Sequence, residues 1–299
     1  MSSMATRIVT FAGQSVEVAV ELDEGRKILD FLFSDLAGDT LHKPCKRLNL
    51  TQTPGGSYQI TASSSDGAPV TTDSRNEALR LLMDQVIHCL AQTCDSGLLF
   101  HAAVVARNGR AVVMPAASGS GKSTLSCWLA KQGFQYCTDE LAFLPTDSTR
   151  VECLMRPVII KNAAREMMTE FLGLAEQEQD FYPGPVAMMV PHRLIHLEFP
   201  QSCPEVGLLL FPRYQQDTDF QYTELTPAQA GMRLMSVLVN ARNLSDHGFA
   251  QTARIAQTTR ACQIQYSSFA HIETCFSSIF EDGLSKDQVN PCPVDAEGV

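Results

Sequence analysis

The spacing of apolar and polar positions changes along the chain, and its first third is polar and rich in turns. Residues 7–22 form two β-prone runs around a turn, which predicts a hairpin, and residues 26–36 carry apolar side chains at helical spacing. Asp73 or Ser74 can cap a second predicted helix, which runs to about Thr93. We therefore expect a small α+β region before residue 96.

Apolar runs become more frequent after this region. Residues 98–105 and 111–115 are β-prone and are joined by Asn108-Gly109, a strong hairpin signal. A glycine–serine loop and a helix that Gly133 can end come next. Strands are then predicted at 134–138, 141–144, 157–160, 194–199 and 206–211, and helices at 162–172, 227–239, 246–258 and 269–280.

Composition narrows the functional classes. The net charge is −10, whereas proteins that bind a nucleic-acid backbone usually carry a basic surplus, so we expect no nucleic-acid partner. The 10 cysteines are scattered without a C-x-x-C pair, which favours reduced thiols in a reducing compartment. No secretory signal is visible at the amino terminus, and the apolar runs are shorter than the roughly 20 residues of a membrane span. We expect a cytoplasmic protein without a membrane partner.

One loop carries a recognisable chemical pattern. From Ala116 the chain reads AASGSGKST, which matches G-x-x-x-x-G-K-[ST] except that Ala116 replaces the first glycine. A β-prone run precedes the loop and an amphipathic helix follows it, as phosphate binding requires; an ordinary turn before a helix is the alternative. The candidate nucleotide-binding residues are Ala117, Ser118, Gly119, Ser120, Gly121, Lys122, Ser123 and Thr124.

Each residue type in this loop has a chemical reason. Gly119 and Gly121 allow backbone angles that turn several N–H groups toward one anion. The helix that follows adds unpaired N–H groups and the positive end of its dipole. Lys122 can reach the β- and γ-phosphates of a nucleotide, and the Ser123 hydroxyl suits a Mg²⁺ ligand.

Three polar residues interrupt apolar runs elsewhere. His101 lies within LLFHAAVV, and Asp139 with Glu140 lies between YCT and LAFL. Taken singly, a core histidine and a turn or cap carboxylate are the ordinary interpretations. Four aromatic residues around a polar turn predict a strand pair, or else line a nucleotide or substrate pocket: Phe211, Tyr214, Phe220 and Tyr222.

Five blocks in order resemble the HPr kinase/phosphorylase catalytic domain and, more closely, the family known as HPr-related kinase A. They are FHAAVV, SGSGKSTL, TDEL, RPVIIKN at 156–162 and FPRY at 211–214, and the resemblance covers roughly residues 75–280. It implies an α/β fold with mixed sheets, similar to the P-loop fold of HPr kinase and phosphoenolpyruvate carboxykinase. The expected organisation is an N-terminal α+β region over 1–95 that could recognise substrate, a catalytic domain over 96–280 and a flexible tail over 281–299.

The resemblance also implies roles for individual residues. Asp139 would be the general base, Lys122 would bind phosphate, and His101 would orient or tune Asp139. Ser123 and Glu140 would support Mg²⁺, although HPr kinases have a second aspartate at the position of Glu140. Three further cations lie inside matching blocks and would contact phosphate or substrate, or else be structural: Arg156, Lys161 and Arg213.

The function implied is an ATP-dependent kinase that transfers the γ-phosphate to a serine or threonine hydroxyl of a peptide or small protein. Family members often accompany small PqqD-type peptide-binding proteins, so such a protein is an expected partner, and HPr kinases form hexamers, so a homo-oligomer is compatible. The HPr kinase motifs linked to dephosphorylation and to HPr recognition are not recognisable here. Two alternatives stay open: a nucleotide-binding switch or ATPase without transfer, and a kinase of small-molecule hydroxyls.

Overall fold

A computed structural model describes residues 4–34, 36, 43–63, 68–174, 182–196, 202–281 and 284. Of the predicted tail at 281–299, only residues 281 and 284 lie within these ranges. The chain forms two compact units, the first from residues 1–96 and 154–197 and the second from 97–153 and 198–299. Residues 154–197 thus belong with the first unit, whereas the division predicted from sequence assigns them to the catalytic domain.

Strands and α-helices are interspersed along the described residues. In chain order they are β1 (Ala5–Phe11), β2 (Gln14–Val20), α1 (Gly25–Phe33), β3 (Lys46–Gln52), β4 (Tyr58–Ala62), β5 (Val70–Thr72), α2 (Arg75–Gln92), β6 (Gly97–Arg107), β7 (Arg110–Pro115), α3 (Lys122–Lys131), β8 (Gln135–Thr138), β9 (Leu141–Pro145), β10 (Glu152–Cys153), β11 (Val158–Lys161), α4 (Asn162–Leu172), β12 (Tyr182–Pro183), β13 (Ala187–Val190), β14 (Glu205–Tyr214), β15 (Gln221–Glu224), α5 (Pro227–Ser236), α6 (Phe249–Thr258), β16 (Arg260–Tyr266) and α7 (Phe269–Thr274).

The first unit contains a five-stranded sheet in the order β1-β2-β3-β4-β5. Only β2 and β3 are parallel, because α1 forms the crossover between them, and the other neighbours are antiparallel. The turn of the first hairpin places Ala12 and Gly13 at positive φ. Helix α2 begins after Ser74, whose hydroxyl accepts a hydrogen bond from the backbone N–H of Glu77, as expected for an N-cap.

A smaller sheet in the order β11-β13-β12 also belongs to the first unit. The strand predicted at 194–199 is wrong for its described part, because His192–Leu194 forms a 3₁₀ turn. The backbone N–H groups of Leu194 and Ile195 bond to the carbonyls of Pro191 and His192, and these local bonds replace a strand ladder. Residues 197–199 of that prediction lie outside the described ranges.

The second unit contains an eight-stranded sheet in the order β10-β9-β6-β7-β14-β16-β15, with β8 paired to β6. Strands β7, β14 and β16 are parallel neighbours, whereas the other pairs are antiparallel. The expected α/β class with mixed sheets is therefore confirmed. Among the described residues, no helix is both long and apolar enough to cross a membrane.

Strand β6 is buried along both faces of this sheet. Leu98, Phe100, Ala102 and alternate residues beyond them belong to one core cluster, together with side chains of α5 and α6. The intervening residues, among them His101, therefore point to the opposite face. Helix α3 packs against β6, the strand that carries His101. The loop before α3 is therefore joined to a helix that contacts this strand.

Candidate functional site

The glycine–serine loop (residues 116–121) connects the end of β7 to the start of α3. Gly119 and Gly121 have φ angles of 88° and 93°, which side chains other than glycine rarely adopt. A Cβ on Gly121 would lie 2.5 Å from the hydroxyl of Tyr266 and 3.0 Å from Cβ of Tyr214. The two tyrosines leave no room for a side chain at position 121, so glycine is required there both by its backbone conformation and by the space available.

The loop is attached to the carboxyl ends of the neighbouring parallel strands. The backbone N–H of Tyr214, at the end of β14, donates to the carbonyl of Ser120 at 2.9 Å. The hydroxyl of Tyr266, at the end of β16, lies 3.4 Å from the carbonyl of Gly121. Ligands in open α/β sheets bind outside the carboxyl ends of the strands, and this loop lies at that edge.

Lys122 begins α3 and is almost fully buried, with 5% of its surface exposed. Its ammonium group donates to the carbonyls of Ala116 and Ala117 at 2.7 and 3.1 Å. A buried ammonium needs such acceptors because its desolvation is costly. These bonds fold the lysine side chain back over the loop and place a positive charge within it, where an anion bound by the loop would lie.

Ser123 and Asp139 are brought together although they are 16 residues apart. The Ser123 hydroxyl donates to Oδ2 of Asp139 at 2.7 Å, and Asp139 is 3% exposed. The contact arises because β8, which ends at Thr138, pairs with β6 beside α3. A hydroxyl and a carboxylate at hydrogen-bond distance are oxygen ligands of the kind that Mg²⁺ prefers.

The donor set of the loop fits a magnesium–phosphate group better than an all-protein metal cage. Within the described ranges, no group of three or more His, Cys, Asp or Glu side chains is arranged to hold a metal ion. Mg²⁺ at a phosphate loop keeps water and phosphate oxygens as ligands, so it needs only one or two protein oxygens. The Ser120 hydroxyl is buried in the loop without a hydrogen-bond partner in the described structure, which leaves a donor for a ligand.

His101 and Glu140 form the other polar contact beside this loop. Nε2 of His101 lies 3.9 Å from Oε1 of Glu140, and each side chain is 29% exposed. Glu140 lies in the turn from β8 to β9, where its N–H donates to the Thr138 hydroxyl and its carbonyl accepts from the N–H of Ala102. The family resemblance implies that His101 orients or tunes Asp139, and the contact of the imidazole with the neighbouring Glu140 leaves that role a prediction.

A buried asparagine that sequence reasoning left without a role holds the start of β6. The side chain of Asn240 accepts from the N–H of Leu99 at 3.0 Å and donates to the carbonyl of Gly97 at 2.9 Å. The preceding segment also pairs with this strand, since the His101 N–H donates to Val237 and the Val239 N–H donates to Leu99. The sequence offered one signal for this role: the polar side chain of Asn240 directly follows a segment, 227–239, whose apolar residues have helical spacing.

Aromatic side chains continue from the loop into α3. Tyr214, which is 49% exposed, contacts the ring of Tyr266 edge-on at 5.8 Å, and burial raises the pKa of Tyr266. Tyr266 in turn lies near Phe269, and Phe269 stacks on Trp128 at 5.2 Å. Trp128 is buried, so its indole packs inside the second unit.

The three candidate cations outside the loop are divided between the units. Arg213 is exposed at the end of β14, next to the residue that bonds to the loop. Arg156 and Lys161 belong to the first unit, where Arg156 is buried and donates to the carbonyl of Pro157 at 2.9 Å, and Lys161 is exposed.

The second unit thus brings together the loop, Asp139, Glu140 and His101. No protein-family model and no curated protein sequence matches this chain. The assignment of a function therefore depends on the chemistry of these residues.

Proposed function

We propose that the protein is an ATP-dependent kinase with an HPr kinase-like P-loop fold, which transfers the γ-phosphate to a serine or threonine hydroxyl of a peptide or small protein. The observation that carries the proposal is the 2.7 Å hydrogen bond between Ser123 and Asp139. When a turn before a helix has no ligand to bind, the hydroxyl in the first turn of the helix needs no buried carboxylate beside it. A magnesium–nucleotide site does need one, because the hydroxyl and an acidic side chain together support Mg²⁺.

Binding of the triphosphate is assigned to residues 117–124. The backbone N–H groups in the first turn of a helix have no carbonyl partner within that helix and commonly donate to phosphate oxygens, and α3 begins directly after the loop. Lys122 already lies over the loop and supplies a positive charge to the phosphates. Ser123 and Glu140 would hold Mg²⁺, which neutralises phosphate charge when bound.

Asp139 is the proposed general base. Its carboxylate is one hydrogen bond away from the metal-ligand hydroxyl, so it stands beside the reacting end of the triphosphate and can accept the proton of an attacking hydroxyl. His101 would act through the adjacent acid Glu140, whose Oε1 lies 3.9 Å from Nε2 of the imidazole. His101 is therefore a positioning residue for the acid pair.

Transfer of label from γ-labelled ATP tests these roles, with a PqqD-type peptide-binding protein as the first candidate acceptor. We expect Asp139→Asn to retain ATP affinity and to lower transfer about 100-fold or more, the usual contribution of a general base. Glu140→Gln should instead raise the Mg²⁺ concentration that half-saturates the reaction. The reverse pattern, with Mg²⁺ dependence changed by Asp139→Asn and the transfer rate changed by Glu140→Gln, would exchange the two roles. Lys122→Ala is the binding control and should weaken ATP affinity and turnover together.

A nucleotide-dependent switch or ATPase is the second candidate: Asp139, bonded to the Ser123 hydroxyl, would then hold Mg²⁺ with Ser123 and would take no proton from an acceptor hydroxyl. The same labelling experiment separates the two functions. A kinase moves label onto the acceptor, an ATPase releases it as inorganic phosphate, and a switch leaves it on the nucleotide. We place either activity in the cytoplasm, and a homo-oligomer is proposed by resemblance alone.

A further inference from the structure

One aromatic side chain beside the glycine–serine loop has no part in the proposed phosphate site. Large apolar side chains are exposed at four described positions of the second unit: Tyr214, Met232, Val239 and Phe249. Of these, Tyr214 is the residue whose backbone bonds to the loop, through the carbonyl of Ser120 at 2.9 Å. Its exposed ring therefore stands at the edge of the predicted triphosphate site.

The position of this ring is fixed by its surroundings. Cβ of Tyr214 lies 3.0 Å from where a Cβ on Gly121 would stand, so the side chain starts immediately beside the first turn of α3. The centre of the ring lies 5.8 Å from the centre of the buried Tyr266 ring, and the two planes are inclined at 69°. An edge-to-face contact of this kind holds an aromatic ring while leaving a face of it available.

We infer that Tyr214 stacks against the base of the nucleotide whose phosphates the loop binds. The inference rests on the nucleotide binding of the proposed function, but not on phosphoryl transfer. Every nucleobase has a π-face, and an aromatic side chain provides a platform for it without reading its hydrogen-bonding edge. Tyr214 is accordingly an affinity determinant that tolerates different bases, and purines bind more tightly than pyrimidines because they stack better.

Comparison of two ligands isolates this contact. Mg·ATP carries a base, whereas Mg·tripolyphosphate has a similar phosphate chain without one, and both affinities can be measured by calorimetry on the full chain. Tyr214→Ala should weaken Mg·ATP binding roughly 10-fold or more, which corresponds to one base–aromatic stack. The same variant should leave Mg·tripolyphosphate binding unchanged, which also reports that the loop is still folded. Tyr214→Phe should bind both ligands like the wild type.

Phe249→Ala is the matched control, because Phe249 is another exposed aromatic residue of the second unit, 60% exposed at the start of α6. It should leave both affinities unchanged. Trp128, the only tryptophan, supplies a second readout through the ring contacts that connect it to Tyr214 by way of Phe269 and Tyr266. Its fluorescence should change more with Mg·ATP than with Mg·tripolyphosphate in the wild type, and equally little with both in Tyr214→Ala.

The inference and the proposed kinase fail in different ways. Unchanged ATP affinity in Tyr214→Ala, or equal losses for both ligands, overturns the stacking role and leaves the kinase intact. A higher acceptor KM at unchanged ATP affinity also overturns it, because the ring would then contact the acceptor. Selective loss of ATP affinity in a protein that labels no acceptor supports stacking and overturns the kinase. A wild type that binds neither ligand overturns both.

Discussion

The large sheets of the two units differ in how their polar residues are distributed. In β3 of the first unit, buried Leu48 and Leu50 alternate with Arg47, Asn49 and Thr51, which remain partly exposed. In β6 of the second unit, residues 97–106 are buried except for His101. The first pattern is typical of a sheet with one solvated face, and the second of a central strand covered on both faces.

This difference decides which polar residues are informative. A polar group within a doubly buried strand costs free energy unless it is paired, so its presence calls for a specific reason. His101 lies in such a strand, Asp139 directly follows the largely buried β8, and Lys122 is buried at the start of α3; all three make polar contacts beside the loop. Polar residues of β3 are expected by alternation alone, and they single out no site.

Two glycines with nearly the same backbone angle give the largest expected difference between the units. Gly121 has φ of 93° and Gly56 has φ of 92°, but a Cβ on Gly56 would meet nothing within 4 Å, whereas one on Gly121 would meet Tyr266 and Tyr214. We expect Gly56→Ala to lower the free energy of unfolding by about 1 kcal/mol, from backbone strain alone. Gly121→Ala should lower it by about 2 to 5 kcal/mol because steric overlap is added to the strain, and it should abolish ATP binding.

Urea unfolding of Gly56→Ala and Gly121→Ala measures the two losses. Trp128 fluorescence monitors unfolding of the second unit, and circular dichroism monitors unfolding of the whole chain. Trp128 lies on α3, directly after the loop that Gly121 ends, so its signal reports the unit in which the larger loss is expected. Equal losses in the free energy of unfolding would mean that the overlap of an alanine side chain at position 121 with the two tyrosines costs no free energy.

Two asparagines form the next pair. Asn240 is 2% exposed and bonds to both Leu99 and Gly97, so Asn240→Ala leaves a buried N–H and a buried carbonyl without a partner. The expected loss in the free energy of unfolding is about 1 to 3 kcal/mol. Asn49 is partly exposed and accepts one bond from Arg47, so Asn49→Ala should change stability by less than about 0.5 kcal/mol. The same urea titrations measure both, and a larger loss for Asn49 would reverse the comparison.

Local signals in the sequence predicted much of the fold. The positive-φ turn at Asn108-Gly109, the cap at Ser74 and the helix at 162–172 all depend on residues close to each other in the chain, and each is found in the structure. The strand at 194–199 was wrong in its described part because a periodicity argument does not weigh the 3₁₀ bonds that follow Pro191. Strand β16 was not predicted, because RACQIQY mixes polar and apolar residues and is stabilised by its neighbours β14 and β15.

The candidate site was predictable as a loop but not as a set of contacts. Spacing and composition single out residues 116–124 because the phosphate pattern is local. The pairing of Ser123 with Asp139, and of His101 with Glu140, depends on how β8 and β9 pair with β6. Neither pairing follows from sequence distance, and the contacts of Tyr214 with the loop and of Asn240 with β6 depend on long-range packing in the same way.

Two glutamates give the smallest effects, and these have opposite signs in the two units. Arg75, whose guanidinium is 2.8 Å from Glu24, holds the pKa of Glu24 below its usual range, whereas burial raises the pKa of Glu152. The lowered pKa stabilises the fold above the unfolded-state pKa of about 4.3 and this contribution is lost as the pH falls through the folded value. The raised pKa works in reverse, since ionised Glu152 destabilises the fold at neutral pH and its protonation removes the penalty.

Glu24→Gln should therefore lower the melting temperature at pH 7, and Glu152→Gln should raise it. Both shifts should be about 1 to 2 °C at most, because exposed or half-buried charges contribute little. Both should be smaller at pH 3, and the shift caused by Glu152→Gln should fade first as the pH falls, because the pKa of Glu152 is raised and that of Glu24 is lowered. Thermal melts of the two variants and the wild type at pH 7 and pH 3 measure the four differences. Shifts of the same sign at pH 7 would contradict the assignment of pairing to one carboxylate and desolvation to the other.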